Sequence, residues 1–453
     1  MELYPFQSTA VRTALLRLGR GLKVLITSPP GSGKTVMIAE MSRRVTNRGE
    51  RVLILAQRRE ILRQTYLHLT GVGVSSDNIG VIQPDPITEV DLARPIQLAS
   101  MATLLRRGLR PRADMVILDE AHHAVADGHA GVLRHYRRKK TVGLTATPIR
   151  LDGRGLGDVF DNLVVAAVPS ELIKEKRMAK PRPFSAPEEF LPNLDRLRRA
   201  MGDYVPSGLQ ERVDQPALVG DIVRHYLERV EGKTALVFAA TLRHSRSIVE
   251  RFVTAGVPAE HLEGTTAVHE RDAVINRLRT GQTLVVSNVG ILHEGFDLPR
   301  TYAVILARPT LSLALYLQQT GRGLRRYGNR RPLILDHAGN YNQFGYPEAD
   351  RQWALTETMI QPTGIAPTRA CDRCQAIIPR GSKVCPECGV ELGRPRPTPE
   401  EDRQRNLQEL TARERAIYKR RIDEFLAEEG KDQVEWAGFR EQIIEIWTAE
   451  RSL

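Results

Sequence analysis

The sequence predicts two tandem α/β domains, each built on a parallel sheet, followed by a small cysteine ribbon and a helical tail. Three observations predict this. Short apolar runs alternate with helix-periodic stretches in two separate parts of the 453 residues, the pattern of strands buried on both faces by crossover helices. A proline-rich stretch stands between the two parts. All 4 cysteines fall between Cys371 and Cys388.

The first domain is expected over residues 1–165, with strands VLIT (24–27), VLILA (52–56), IQLAS (96–100), MVILD (115–119) and VGLTA (142–146). Residues 166–215 hold Pro169, Pro181, Pro183, Pro187, Pro192 and Pro206 and read as a linker with short helices. The second domain follows over 216–345, with strands ALVFAA (235–240), TLVVSN (283–288), YAVILA (302–307) and LILDH (333–337). Residues 346–370 read as a connector, 371–389 as the ribbon and 390–453 as a charged, helix-periodic tail.

Composition narrows the class. The hydrophobic fraction is 41% and the charged fraction 26%, ordinary for a globular chain. A formal net charge of +12 suits a polyanionic partner, since Lys and Arg displace the counterions of phosphates; solubility alone would also account for it. No apolar run is long enough to span a membrane and the first residues lack a signal peptide's charged and apolar regions, so a cytoplasmic protein is expected.

SPPGSGKT (28–35) lies between the strand VLIT and a helix, the context of a phosphate-binding loop. Pro30, Gly31, Ser32 and Gly33 would let backbone N–H groups close on phosphates, Lys34 would reach the outer ones, and the Thr35 hydroxyl would hold Mg²⁺. Asp119 and Glu120 end the strand MVILD. There Asp119 suits a metal-holding acid, and Glu120 suits the base that deprotonates an attacking water. ATP and Mg²⁺ are the expected ligands.

With these in hand, the chain resembles superfamily 2 helicases over roughly residues 3–340. LYPFQ (3–7) resembles the adenine-reading element, with Gln7 as base reader and Tyr4 in place of the usual arginine. AQRREIL (56–62) and SMATLL (100–105) resemble nucleic-acid-contacting elements. DEAH (119–122) and TATP (145–148) follow in the family's order, then VFAAT (237–241), SNVGILHEGFDLP (287–299) and QQTGRGLR (318–325). The resemblance implies two RecA-like domains closing on ATP, with Arg322 and Arg325 as arginine fingers. It assigns Gly295 and Asp297 to the nucleotide, and Gln57, Arg58, Ser100, Thr241 and Asn288 to nucleic acid. His122, Thr145, Thr147 and Gln318 fall at positions that couple the two. FAATLRHSRSIV (238–249), LYLQQTGRGLR (315–325) and LDHAGN (335–340) are similar to bacterial RadD-type and phage DNA helicases. These imply action on single-stranded or forked DNA in repair, recombination or phage replication, most simply by a monomer.

Cys371 and Cys374, with Cys385 and Cys388, form two CxxC turns that can present four thiolates to a structural Zn²⁺. A redox pair or disulfides are the competing readings; a redox site needs only one pair. The ribbon and the tail, which carries Trp436 and Trp447, could also meet a protein partner. His123 reads as a neighbour of His122, and RRKK (137–140) as a solvated strand edge. Two other functions remain open. One is a zinc-ribbon DNA-binding scaffold whose ATPase is a conformational switch; the other is an RNA helicase.

Overall fold

A computed structural model describes residues 3–57, 59–83, 90–123, 127–185, 191–200, 202–293, 301–356, 368–379 and 382–392. The chain divides into two compact units, 1–390 and 391–453. The tail, with Trp436 and Trp447, lies outside the described residues.

In the first half, seven parallel strands run in the order Ile79–Ile82, Ile96–Ser100, Val52–Ala56, Met115–Asp119, Lys140–Thr145, Val24–Thr27, Asn162–Val165. The inner strands VLIT, VLILA and MVILD are buried at every residue because helices cover both faces. One face packs with Met37, Ile38 and Met41 of the helix Lys34–Thr46. The other packs with Leu104, Tyr136 and Phe160.

Six parallel strands make the second sheet, in the order Ala259–Leu262, Val285–Asn288, Ala235–Ala239, Ala303–Ala307, Leu333–Asp336, Arg182–Ser185. Its last strand corrects the expected linker. Residues 182–185 pair in parallel with Leu333–Asp336, and Pro183 is tolerated because an edge strand leaves one side of its backbone unpaired. The segment also forms the hairpin Arg199–Ala200 and Asp203–Tyr204. Asp203 accepts hydrogen bonds there from Arg308 Nη2, Thr310 Oγ1 and the Leu311 N–H at 2.8–2.9 Å.

The expected connector is also more than a spacer. Trp353 packs against the core of the second sheet and Leu355 against that of the first. The Gly157 N–H donates to the Leu355 carbonyl at 2.9 Å. Ser170 donates to Asp350 through its N–H at 3.0 Å and its hydroxyl at 2.5 Å. Residues 346–356 are thus a strap joining the two halves. Among the described residues no helix is long and apolar enough to cross a membrane.

Candidate active site

In an open parallel sheet, loops at the carboxyl ends of the strands gather ligand-binding groups. Thr27, Asp119 and Thr145 end three strands of the first sheet, and 140–145 lies between the other two. This ordering brings Ser28–Thr35, the acid pair and TATP onto one rim.

Gly31 and Gly33 have φ of 79° and 82°, the left-handed region where a β-carbon is disfavoured. Gly33 caps the helix Lys34–Thr46. A β-carbon on Gly33 would lie 2.4 Å from Gln7 Nε2. Lys34 is buried, which pushes its ammonium below the ordinary lysine range, while the carboxylates of Glu120 and Asp119 oppose that shift. The hydroxyls of Ser28, Ser32 and Thr147 are buried with no hydrogen-bond partner. Orphaned donors beside left-handed glycines and a helix N-terminus fit phosphate oxygens.

Glu120 has φ of 49°, and its N–H donates to Asp119 Oδ1 at 2.9 Å. Its carboxylate is 3.6 Å from His122 Nδ1. From His122 a hydrogen-bond chain crosses between the halves. Gln318 Nε2 donates to His122 Nε2 at 2.8 Å, and His122 Nδ1 meets Thr145 Oγ1 at 3.0 Å. Thr145 Oγ1 donates to the Thr147 carbonyl at 2.9 Å. A neutral ring protonated on Nδ1 satisfies both contacts.

The second sheet reaches the phosphate loop directly. A β-carbon on Gly321 would stand 2.5 Å from Pro30 Cγ, and one on Gly31 would be 3.4 Å from Arg325 Cγ. Arg322 is 9% exposed and donates through Nε and Nη2 to the His293 carbonyl at 2.9 and 2.5 Å. Arg325 therefore lies along the loop, while Arg322 is anchored on the turn after Val285–Asn288.

With that geometry described, known proteins can be compared. Residues 1–150 match the family model for the res subunit of Type III restriction enzymes, and residues 218–327 match that of the helicase conserved C-terminal domain. A 51.5 kDa protein of a Lactococcus phage (isolate 7-9) is 31% identical over 372 residues, spanning 81% of this chain and 78% of the phage protein. The chain belongs to the superfamily 2 helicases. It is an enzyme of their kind, an ATP-dependent nucleic-acid helicase or translocase. A Saccharomyces cerevisiae protein provisionally named ATP-dependent helicase IRC3 is 26% identical over 356 residues, 72% of this chain and 50% of the yeast protein. The ATP-dependent Type ISP restriction-modification enzyme LlaBIII, solved bound to DNA, superposes with a TM-score of 0.56 at 16% identity. That match covers 75% of this chain and 28% of the restriction enzyme, and shows a shared fold.

The helicase places several expected contacts differently. Gln7 is 2% exposed, its Oε1 accepting from the Tyr4 N–H at 2.9 Å and its Nε2 donating to the Ser32 carbonyl at 2.8 Å. Asn288 is 0% exposed. Its amide bridges the Val237 carbonyl (2.9 Å) and the Leu292 N–H (3.1 Å), so it holds a turn and presents nothing to nucleic acid. Thr241 caps the helix Leu242–Thr254 by accepting from the His244 N–H at 3.2 Å. Ser100 is buried at the start of the helix Met101–Arg107. Gln57 stays half-buried at the rim. Arg58, Gly295 and Asp297 lie outside the described residues.

The four thiols of the helicase form one cluster, with all Sγ atoms within 4.8 Å of one another. Cys371 to Cys388 and Cys374 to Cys385 are each 3.7 Å, and none is in a disulfide. Tetrahedral zinc with bonds of about 2.3 Å sets sulfurs roughly 3.8 Å apart, so the cluster fits that ion. The ribbon hairpin Thr368–Ala370 and Ile377–Pro379 is docked on the second sheet. Ala376 bridges Phe184 of the edge strand, Arg229 Nη2 donates to the Cys374 carbonyl at 3.0 Å, and Glu387 pairs with Arg182 (2.6 Å) and Arg331 (3.2 Å).

Proposed function

We propose that this helicase is a DNA translocase that hydrolyses ATP between its two sheets. The observation that carries the reading is the Gln318–His122–Thr145 chain beside Arg325 on Gly31, because it joins hydrolysis chemistry to the relative position of the halves. Pro30 to Gly33 surround the triphosphate and Lys34 neutralises its outer oxygens. Thr35 and Asp119 would hold Mg²⁺, which supplies further charge neutralisation when bound. Glu120 accepts the proton of the attacking water. Arg325, with Arg322 beside it, meets the negative charge that develops on the transferred phosphoryl group. His122, Thr145, Thr147 and Gln318 transmit the change, and Gln57 faces the nucleic acid. The four cysteines hold one structural Zn²⁺.

DNA is favoured over RNA because residues 1–150 match a restriction-enzyme subunit, a kind of protein that acts on DNA. Repair, recombination or phage replication are the settings this fits. ATP turnover measured in parallel with single-stranded DNA, duplex DNA, forked DNA and RNA tests the reading. Stimulation by single-stranded or forked DNA is expected. Stimulation by RNA alone would make it an RNA helicase, and tight ATP binding without turnover on any of them would make it a switchable scaffold.

A further inference from the structure

A cleft of about 540 Å³ opens beside the phosphate loop, lined among others by Tyr4, Phe6, Ser32, Lys176, Arg177 and Arg326. Its size is within the range of about 300–1,000 Å³ usual for small-molecule sites. Tyr4 is 46% exposed, and the Arg177 guanidinium lies 3.3 Å above its ring centre. Arg177 comes from the segment between the two sheets and is steadied by Glu175 at 2.7 Å. That segment is fastened to the arginine-finger strand. Met178 bridges Arg325, the Ala179 N–H donates to the Leu324 carbonyl at 2.9 Å, and Arg326 donates to the Lys176 carbonyl. Gln7, by contrast, does not line this cleft, and both ends of its amide are held by backbone groups.

We propose that the nucleobase of the bound nucleotide stacks on Tyr4 with Arg177 as its lid, and that Gln7 braces the phosphate loop and does not read the base. The inference rests on the nucleotide site proposed above. An exposed cation–π contact is weak enough to be exchanged: the guanidinium moves from the face of Tyr4 to the outer face of the base. Every base has a π-face, so stacking tolerates all four. The recognition is then of nucleoside triphosphates as a class, with affinity set by Arg177 and selectivity low. The ladder from Arg177 to Arg325 ties an occupied base site to the finger.

Equilibrium binding of ATP, GTP, CTP and UTP tests this when set beside tripolyphosphate, a probe with the phosphates and no base. Wild-type protein is expected to bind the four nucleotides within about tenfold of one another and each more tightly than tripolyphosphate. Arg177→Ala and Tyr4→Leu should each weaken nucleotides by about tenfold or more and leave tripolyphosphate unchanged, which also shows that the variants are folded. Gln7→Leu should weaken tripolyphosphate and nucleotides together. If Arg177→Ala leaves the ratio of ATP to tripolyphosphate affinity at its wild-type value, the lid is wrong. So is the base-tolerant stack if wild-type protein strongly prefers ATP and Gln7→Leu abolishes the preference. Absence of both nucleotide and tripolyphosphate binding in wild-type protein would instead remove the nucleotide site itself.

Discussion

Glu120 is held in a left-handed backbone conformation that costs a non-glycine residue energy, and its N–H is tied to the neighbouring Asp119. A residue held this way is one whose side-chain direction matters. Glu120→Gln is expected to bind ATP normally and lose about 10²–10⁴ in turnover, the usual worth of a positioned base. Lys34→Ala should lose binding as well; paired binding and turnover assays separate the two. Arg325→Ala should lower kcat by about 10³, at the lower end for an arginine finger. Arg322→Ala should add a loss of thermal stability, because the His293 carbonyl loses its partner. Stopped turnover and a melting curve on the same samples check this pair. The residues with fixed spacing were legible in the sequence: GSGKT, DEAH and QxxGRxxR put Lys34, Glu120 and Arg325 on one rim. Asn288 and Thr241 were not, because a motif gives a residue's place along a strand but not whether its polar atoms are taken by its own backbone neighbourhood. Arg177 carried no signal either, since it meets Tyr4 only through folding.

At the scale of elements, inner strands were readable and edge strands were not. VLIT and MVILD are apolar throughout because both faces are covered, whereas RPFS at the edge looks like loop. That overlooked edge is what receives the ribbon. Cys385→Ser is expected to lose about one zinc per chain and lower the melting temperature, because a ribbon with so little apolar core depends on its metal. Basal ATPase should largely survive, since the cysteines stand apart from Lys34 and Glu120. Glu387→Ala is a milder version, costing about 1 kcal/mol or less because its arginine partners are partly exposed. Metal analysis, calorimetry and turnover on both variants decide whether docking depends on the ion or on the ion pairs.

For the whole molecule, the surplus of +12 predicts a steep fall of nucleic-acid affinity with salt, by about 0.7 in log–log slope for each phosphate neutralised on a single strand. Titrations at several salt concentrations and on unrelated sequences measure it; a flat response would contradict phosphate-based gripping. The strap gives a second expectation. A β-carbon at Gly155 would lie 2.1 Å from the Leu355 carbonyl. Gly155→Val should therefore push the strap away, at about 1–3 kcal/mol for overpacking, and reduce nucleic-acid-stimulated turnover more than nucleotide binding. The two-domain plan was legible from the repeated alternation. The strap was not, because Trp353 and Leu355 sit in a stretch without periodicity and declare themselves only by the separate cores they join. The chain thus passes from the first half to the second, returns at Leu355, and must cross again to reach the ribbon. Two bodies stitched at separated places share an axis rather than a loose tether. The stroke driven by ATP then becomes a rotation about the line through the stitches, delivered as torque, and whatever is gripped farthest from that line travels farthest for the same angle.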